Sequence, residues 1–187
     1  PDAAAESDMD DEDDLFSDGE TPDGEEKQGT CGKGVNWTLK DGILTISGNG
    51  EMDDFYVVAD FFTGEITEEN LPGWNDYKDE ITEVYVEDGV TYIGTEAFMN
   101  CPNLKKAVVG NTVKTIERDA FSDDPLLTDL ALGNSLEKIG EEVFWGAGLT
   151  KLVLPASIKE LDGSSLSGLR SLQSFEMEEN SIYSVRD

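Results

Sequence analysis

The side chains of this 187-residue chain that could carry out chemistry are carboxylates and two cysteines, because the sequence contains no histidine. Without histidine there is no imidazole for a nucleophilic triad, for the usual zinc sites or for acid–base catalysis near neutral pH. A glycosidase-type pair of carboxylates needs a defined separation inside a cleft. The pairs Glu68/Glu69 and Glu141/Glu142 are only sequence neighbours in a chain with 42 acidic residues. We therefore expect a protein that is not an enzyme and that holds no cofactor.

Two other patterns could bind a metal or form a bond. Cys31 and Cys101 are too far apart in sequence for C-x-x-C chemistry. Cys101 lies at a position of the repeat described below that faces the core, which favours a buried thiol, with a disulfide to Cys31 as the alternative. The aspartate cluster at residues 8–14 suggests calcium, but it lacks the glycine and the closing glutamate of an EF-hand loop. A solvated spacer is the preferred interpretation of this cluster, and we expect no metal site.

The charge of the chain restricts its partners. It has 13 basic and 42 acidic residues, which gives a net charge of −29. Such a surface repels nucleic acid and anionic lipid, and the sequence has no apolar window long enough to span a membrane. We expect a monomer that neither binds nucleic acid nor inserts into a membrane. Because the chain begins at Pro1 without methionine or an apolar leader, we also expect a mature or trimmed fragment whose signal peptide was removed upstream.

The elements that must position these residues come from a repeat in the second half of the chain. Its units are spaced by 23, 23, 22 and 23 residues, and they begin at Ile81, Leu104, Leu127, Leu149 and Leu172. In the first four units, apolar residues return at offsets 0, 3, 5, 9 and 12, and a small-plus-bulky pair closes each unit. This pattern predicts an α/β solenoid of the leucine-rich repeat type with short parallel strands. The bulky residues of the closing pairs should stack in one column, formed by Phe98, Phe121, Phe144 and Leu166.

The segment before the repeats predicts a cap for the solenoid. Residues 35–39 and 43–46 alternate apolar and polar side chains around Asp41-Gly42, which is typical of a β-hairpin. A longer connection follows at residues 53–70, and Trp74, Tyr77 and Ile81 then share one helical face. We therefore predict three parts, which are an acidic flexible leader (1–29), an N-terminal β-hairpin cap region (30–80) and about four and a half leucine-rich repeats (81–187).

Two motifs resemble a known family. The stretch E-x-G-V-T-x-I-G-x-x-A-F-x-x-C-x-x-L, from Glu87 to Leu104, resembles the leucine-rich repeat of the BspA-like bacterial surface proteins. The segment with Cys31-Gly32, Trp37-Thr38-Leu39 and Leu44-Thr45-Ile46-Ser47-Gly48 is similar to the one that often precedes those repeats. The resemblance implies an extracellular or cell-surface protein with a role in adhesion, binding a host or bacterial surface protein or a glycan, and it carries over no catalytic residues. The alternative is a structural stalk or an accessory module of a larger secreted protein or hydrolase.

The register of the repeats predicts which side chains face outward. The column at offset 4 contains Tyr85, Val108, Ala131, Val153 and Glu176, and the column at offset 2 contains Glu83, Lys106, Asp129, Lys151 and Ser174. Parallel strands would set neighbours in a column about 4.8 Å apart. Tyr85, Val108 and Val153 would then form an exposed apolar stripe for a partner, although strand propensity alone also explains these residue types. The offset-2 column alternates in charge, which favours a ladder that fixes register.

A second candidate site lies in the connection at residues 53–70. It carries four aromatic side chains, Phe55, Tyr56, Phe61 and Phe62. Exposed aromatic residues on a loop can anchor a partner, and the alternative is that they pack against the cap.

Overall fold

The computed structural model describes residues 24–179, which fold into a solenoid of short strands. The strands, in chain order, are β1 (Lys27–Gly32), β2 (Val35–Lys40), β3 (Ile43–Gly48), β4 (Gly50–Glu51), β5 (Tyr56–Ala59), β6 (Ile66–Asn70), β7 (Glu83–Val86), β8 (Val90–Ile93), β9 (Lys106–Val109), β10 (Thr115–Ile116), β11 (Asp129–Ala131), β12 (Lys138–Ile139), β13 (Lys151–Leu154), β14 (Glu160–Leu161) and β15 (Ser174–Met177). The main sheet has the order β1-β2-β3-β7-β9-β11, and the second sheet has the order β14-β12-β10-β8-β4. Two smaller sheets pair β13 with β15 and β5 with β6.

The N-terminal cap is a three-stranded antiparallel meander that continues into the repeats. β1 pairs with β2 and β2 with β3, and β3 then pairs in parallel with β7, the first strand of the repeats. The turn between β2 and β3 has φ of 51° at Asp41 and 80° at Gly42, as a two-residue hairpin turn requires. The predicted hairpin is confirmed, and β1 extends it by one strand that sequence reasoning did not predict. The cap therefore covers the open end of the core and shares its hydrogen-bonded sheet.

A column of aromatic rings forms the centre of the core. The ring centroids of Trp74 and Phe98 are 5.8 Å apart, those of Phe98 and Phe121 are 5.1 Å apart, and those of Phe121 and Phe144 are 6.3 Å apart. All four side chains are fully buried, and Leu166 packs against the same cluster. The Trp74 indole N–H donates to the carbonyl oxygen of Ala97 at 3.1 Å, so its one polar group is satisfied. The predicted column is confirmed for Phe98, Phe121 and Phe144, and Trp74 of the cap forms its first member.

The helical part of the predicted α/β class is not found in residues 24–179. The one helix in this range is a 3-10 helix at Asn75–Glu80. The segment that closes each repeat is a run of turns because it contains residues with positive φ, such as Glu96 (55°) and Asn100 (59°). The same two positions of the next unit, Asp119 (56°) and Asp123 (57°), repeat this conformation. A residue in the left-handed region cannot continue a right-handed helix, so these turns replace the helices of an α/β repeat.

The main sheet is interrupted between the third and fourth repeat units. Among the described strands, β13 pairs with β15, whereas β11 pairs with β9 alone. The second sheet continues across the same point, since β12 pairs with β14. Two features of the sequence accompany the interruption. The units beginning at Leu127 and Leu149 are 22 residues apart instead of 23, and Pro155 has no N–H where the equivalent Gly110 donates to Val86.

Candidate partner-binding surfaces

The first candidate surface is a row of side chains across the outer face of the main sheet. Tyr85 lies beside Val108 in the register of β7 and β9, and Val108 lies beside Ala131 in that of β9 and β11. Tyr85 and Val108 are half-buried, and Ala131 is exposed. The Tyr85 hydroxyl donates to a Glu83 carboxylate oxygen at 2.7 Å, and the Lys106 ammonium lies 5.5 Å from the centre of the Tyr85 ring. These polar contacts fix the orientation of the ring on the sheet.

Val153 lies outside the hydrogen-bonded register that joins Tyr85, Val108 and Ala131. It lies on β13, which pairs with β15 and places Val153 beside Glu176. No strand pairing of the described residues therefore joins Val153 to Tyr85 and Val108. Strand register supports the stripe for Tyr85 and Val108, and its extension to Val153 stays a prediction.

The charged row beside it follows the same division. Glu83, Lys106 and Asp129 are neighbours in the registers of β7, β9 and β11, in the predicted order of alternating sign. The Tyr85 side chain and, to a smaller extent, Glu83 and Asp129 raise the pKa of Lys106. Lys151 lies on the separate two-stranded sheet, where its ammonium contacts a Glu176 carboxylate oxygen at 2.9 Å. The alternating order of charges is found across three strands, and the role of this row in fixing the register stays a prediction.

The second candidate surface is a hairpin formed by β5 and β6, in the segment that sequence reasoning treated as a connection. The strands are antiparallel, with Tyr56 beside Asn70 and Val57 beside Glu69. At the turn, one carboxylate oxygen of Asp60 accepts hydrogen bonds from the backbone N–H of Phe62 at 2.9 Å and of Thr63 at 2.8 Å. The bonds from the Thr63 N–H, the Thr63 hydroxyl and the Phe62 N–H lower the pKa of Asp60 and stabilise the turn at the tip.

The base of the hairpin is anchored to the repeats through Asp54. A carboxylate oxygen of Asp54 accepts from the Tyr92 hydroxyl and from the Thr95 N–H, each at 2.9 Å, and its carbonyl oxygen accepts from the Asn70 side chain at 2.7 Å. Burial acts to raise the pKa of Asp54, but the hydrogen bonds from Thr95 and Tyr92 outweigh it and leave the pKa below its usual value. The hairpin is therefore held at its base and at its tip.

The structure places the four predicted aromatic residues in different environments. Phe55 is buried at the base of the hairpin, with its ring edge-on to Trp74 at 5.7 Å, so the prediction that Phe55 contacts a partner is wrong. Tyr56 is half-buried and its hydroxyl donates to Glu68 at 2.8 Å. Phe61 and Phe62 lie at the tip, where their side chains are 92% and 91% exposed and contact each other edge to face at 5.5 Å. Two of the four residues are thus fully available to a partner.

Additional apolar residues of the hairpin are exposed and were missed in the sequence. Val57 and Val58 on β5 are each 46% exposed, and Ile66 on β6 is 56% exposed. The signal that could have revealed the hairpin is two runs rich in β-branched residues, separated by a turn containing Thr63-Gly64. Gly64 has φ of 71°, a conformation that favours glycine.

A cavity beside the second sheet offers a weaker candidate. It has a volume of about 460 Å³ and opens beside the second sheet, between Arg118, Lys138 and Glu160. Its two basic side chains are already paired, because Lys138 contacts Glu117 at 2.6 Å and Arg118 contacts Glu96 at 3.5 Å. A ligand there would have to displace these ion pairs.

The residues considered for chemistry are not brought together. Glu68 and Glu69 are consecutive on β6, so their side chains point to opposite faces. Cys31 and Cys101 are both free and buried, which confirms the buried thiol at Cys101 and gives no disulfide between them. Within residues 24–179, no cluster of three or more His, Cys, Asp or Glu side chains is arranged to hold a metal ion.

Residues 24–179 also contain no helix long and apolar enough to cross a membrane.

The acidic leader lies mostly outside the described residues, as does the aspartate cluster at residues 8–14 that suggested calcium. The part of the leader that is described joins the fold, because β1 begins at Lys27 and the Lys27 ammonium contacts Glu80 at 2.6 Å.

Comparison with known proteins places the chain among bacterial repeat proteins. Residues 76–187 match the family described as BspA type Leucine rich repeat region, in six copies, which confirms the resemblance noted above. No curated protein matches the sequence. A leucine-rich repeat protein from Eubacterium ventriosum has a solved structure similar to this one, with a TM-score of 0.65 and 25% identity over 84% of this chain and 45% of that chain.

Two further solved structures support the fold alone. A leucine-rich repeat protein from Bacteroides ovatus has a TM-score of 0.51 and 22% identity over 78% of this chain and 41% of that chain. The leucine-rich repeat protein of T. pallidum has a TM-score of 0.50 and 19% identity over 79% of this chain and 85% of that chain. The present chain therefore spans less than half the length of the Eubacterium ventriosum and Bacteroides ovatus chains.

Proposed function

Because this chain belongs to the family of BspA type leucine rich repeat proteins, we propose that it is a non-catalytic recognition module that acts outside the bacterial cell or at its surface. Its target is a protein or glycan of a host or bacterial surface. The exposed tip of the β5–β6 hairpin makes the central contact, and the outer face of the main sheet around Tyr85 and Val108 makes a flanking one.

The exposure of Phe61 and Phe62 is the observation that carries this proposal. Both side chains are more than nine-tenths exposed, and the turn that carries them is stabilised by hydrogen bonds to Asp60. Full burial of one such side chain contributes about 1.5–3 kcal/mol. Aromatic residues held in place before binding lose little conformational entropy, which is why they dominate many protein interfaces. A pair of phenylalanines in this setting is better explained by a partner than by the stability of the isolated chain.

The main sheet supports a flanking contact of lower energy. Tyr85 is oriented by Glu83 and Lys106, and Val108 and Ala131 continue the row toward the interruption. Repeat solenoids commonly use extended strand faces for recognition. Each of these residues is small or partly buried, so the row would add contact area to the interface. The two phenylalanines of the hairpin would contribute most of the binding energy.

The test is binding of residues 24–187 to an array of extracellular-matrix proteins, mucins and glycans. The variant Phe61→Ser plus Phe62→Ser should lose the signal of wild type. The matched control is Leu126→Ser, because Leu126 is an exposed apolar residue (45%) in the loop before β11. Both variants should keep the melting temperature within about 2 °C of wild type, since surface substitutions change stability by about 0.5 kcal/mol or less.

A saturable target that tolerates Leu126→Ser but not the double phenylalanine variant supports recognition through the hairpin. No saturable target for wild type would contradict the proposal and favour a structural stalk that presents another part of a longer protein.

A further inference from the structure

The β5–β6 hairpin is an isolated two-stranded sheet with features that define what could bind it. Among the described strands, β5 and β6 pair only with each other, so each has one edge whose backbone N–H and C=O groups lack a strand neighbour. All five residues of β6 are exposed. A two-stranded sheet is marginal in water, and a third strand adds both hydrogen bonds and buried area. The outer edge of β6 is thus an open place for an added strand.

The charge of the hairpin is entirely negative. Residues 53–70 contain six acidic side chains and no basic one, and they are Asp53, Asp54, Asp60, Glu65, Glu68 and Glu69. None of the six forms an ion pair with a Lys or Arg side chain of residues 24–179. Two of them, Glu68 and Glu69, lie on β6 itself, one on each face, whereas β5 carries no charge. Charge therefore distinguishes the β6 edge from the β5 edge.

This charge also excludes several occupants of the β6 edge. A second copy of the hairpin would bring Glu68 and Glu69 against like charges, which is unfavourable for directly opposed strands. Anionic lipid, nucleic acid and acidic glycans would be repelled in the same way. An extended polypeptide with basic residues would be attracted on both faces of the strand it adds.

We propose that the β6 edge accepts an extended basic segment of a partner protein, in which pairs of Lys or Arg alternate with pairs of apolar residues, so that each face of the added strand carries both kinds. The segment pairs with the backbone of Ile66–Asn70, its basic side chains contact Glu68 and Glu69, and its apolar residues reach Ile66 and the exposed rings of Phe61 and Phe62. The inference rests on the proposed function and specifies the chemical class of its partner.

The experiment uses a synthetic peptide of eight residues in which pairs of lysine alternate with pairs of valine (the lysine–valine peptide), titrated into the full chain in 50 mM and 500 mM salt. Two peptides serve as controls, one with glutamate in place of lysine and one with N-methylated backbone amides at alternate residues. Backbone amide chemical shifts locate the contact. One variant is Glu68→Gln plus Glu69→Gln, in which the new amide side chain at position 68 retains an acceptor for the Tyr56 hydroxyl. The other variant is Phe61→Ser plus Phe62→Ser.

We expect the lysine–valine peptide to shift the amide signals of β6, with no shift from either control peptide. The glutamine variant should weaken binding by about 2- to 30-fold at 50 mM salt, because two exposed charge pairs are lost, and the difference should shrink at 500 mM salt. The phenylalanine variant should weaken binding about 10-fold or more at both salt concentrations.

Equal binding of the N-methylated peptide would overturn strand addition, and equal binding of the glutamate peptide would overturn the basic class of partner. A surface-array target that is lost in the phenylalanine variant but not displaced by the lysine–valine peptide would overturn this inference and leave the proposed function intact. No array target for wild type, together with no peptide binding, would overturn both.

Discussion

Asp124 gives the sharpest prediction about stability, because its carboxyl group is buried in the hydrophobic core. Its side chain is fully buried, and it occupies the offset that Cys101 fills in the preceding unit and Ala147 in the next. One carboxyl oxygen accepts the backbone N–H of Cys101 at 2.8 Å, and the other has no hydrogen-bond partner. Burial raises the pKa of Asp124 well above 3.8, against smaller lowering effects of the Cys101 N–H and of the Lys78 charge.

The consequence is a defined dependence of stability on pH. When the pKa of an acid is higher in the folded than in the unfolded protein, the folded state binds the proton more tightly. Its contribution to the free energy of unfolding is greatest at a pH below the unfolded pKa, where the acid is protonated in both states. That contribution is lost as the pH rises from 3.8 toward the folded pKa, because the unfolded chain releases its proton first. Within this window, the free energy of unfolding should fall by about 1.4 kcal/mol for each pH unit.

The perturbation is Asp124→Asn, which keeps the acceptor for the Cys101 N–H and removes the titration. Urea unfolding of both proteins from pH 4 to pH 7 isolates this group, because the other acids titrate in both and cancel in the difference. We expect the advantage of the variant over wild type to be smallest at pH 4 and to grow as the pH rises, at about 1.4 kcal/mol for each pH unit inside the window. A difference that is flat across this pH range would refute the argument from burial.

Three further predictions concern the core and the sheet face. Phe121→Ala should lower the free energy of unfolding by about 3–5 kcal/mol, because it leaves a cavity between two stacked rings; urea unfolding measures this, and a loss below 1 kcal/mol would contradict the column. Burial, with the charge of Asp53, raises the pKa of Cys31 to about 12, and burial also raises that of Cys101, so a thiol reagent at pH 8 should modify both only as fast as the protein unfolds; complete labelling of the native protein within seconds would exclude this packing. Tyr85→Ser plus Val153→Ser should leave the melting temperature nearly unchanged and weaken partner binding, with most of the loss due to Tyr85; an affinity equal to wild type would remove the sheet face from the binding surface.

The repeat architecture could be predicted because burial follows a fixed period. Positions such as Leu127 and Phe121 return at the same offset in successive units, and residues at one offset must pack in one layer of a solenoid. The cap hairpin was predictable from Asp41-Gly42, since both residues adopt the positive φ that this turn needs. In both cases a local sequence signal and the tertiary environment favour the same structure.

Other features were missed because the local signal and the environment differ. The hairpin at residues 56–70 lacks an alternating pattern, since both of its faces are largely exposed. Asp124 looks like a surface residue in the sequence, because a buried acid is rare. The turns that replace helices depend on left-handed residues, and only the recurrence of Asn100 and Asp123 at one offset indicates them. The interruption of the main sheet coincides with Pro155 and with a unit that is one residue shorter, which an assumed constant period conceals.

The most direct test of the account is the dissociation constant of the strongest array target for wild type, for Phe61→Ser plus Phe62→Ser, and for Leu126→Ser. Two aromatic anchors, each contributing about 1.5–3 kcal/mol of burial, predict that the double variant binds at least 100-fold more weakly, while Leu126→Ser binds like wild type and all three melt at the same temperature. Equal dissociation constants for wild type and the double variant would contradict recognition through the hairpin.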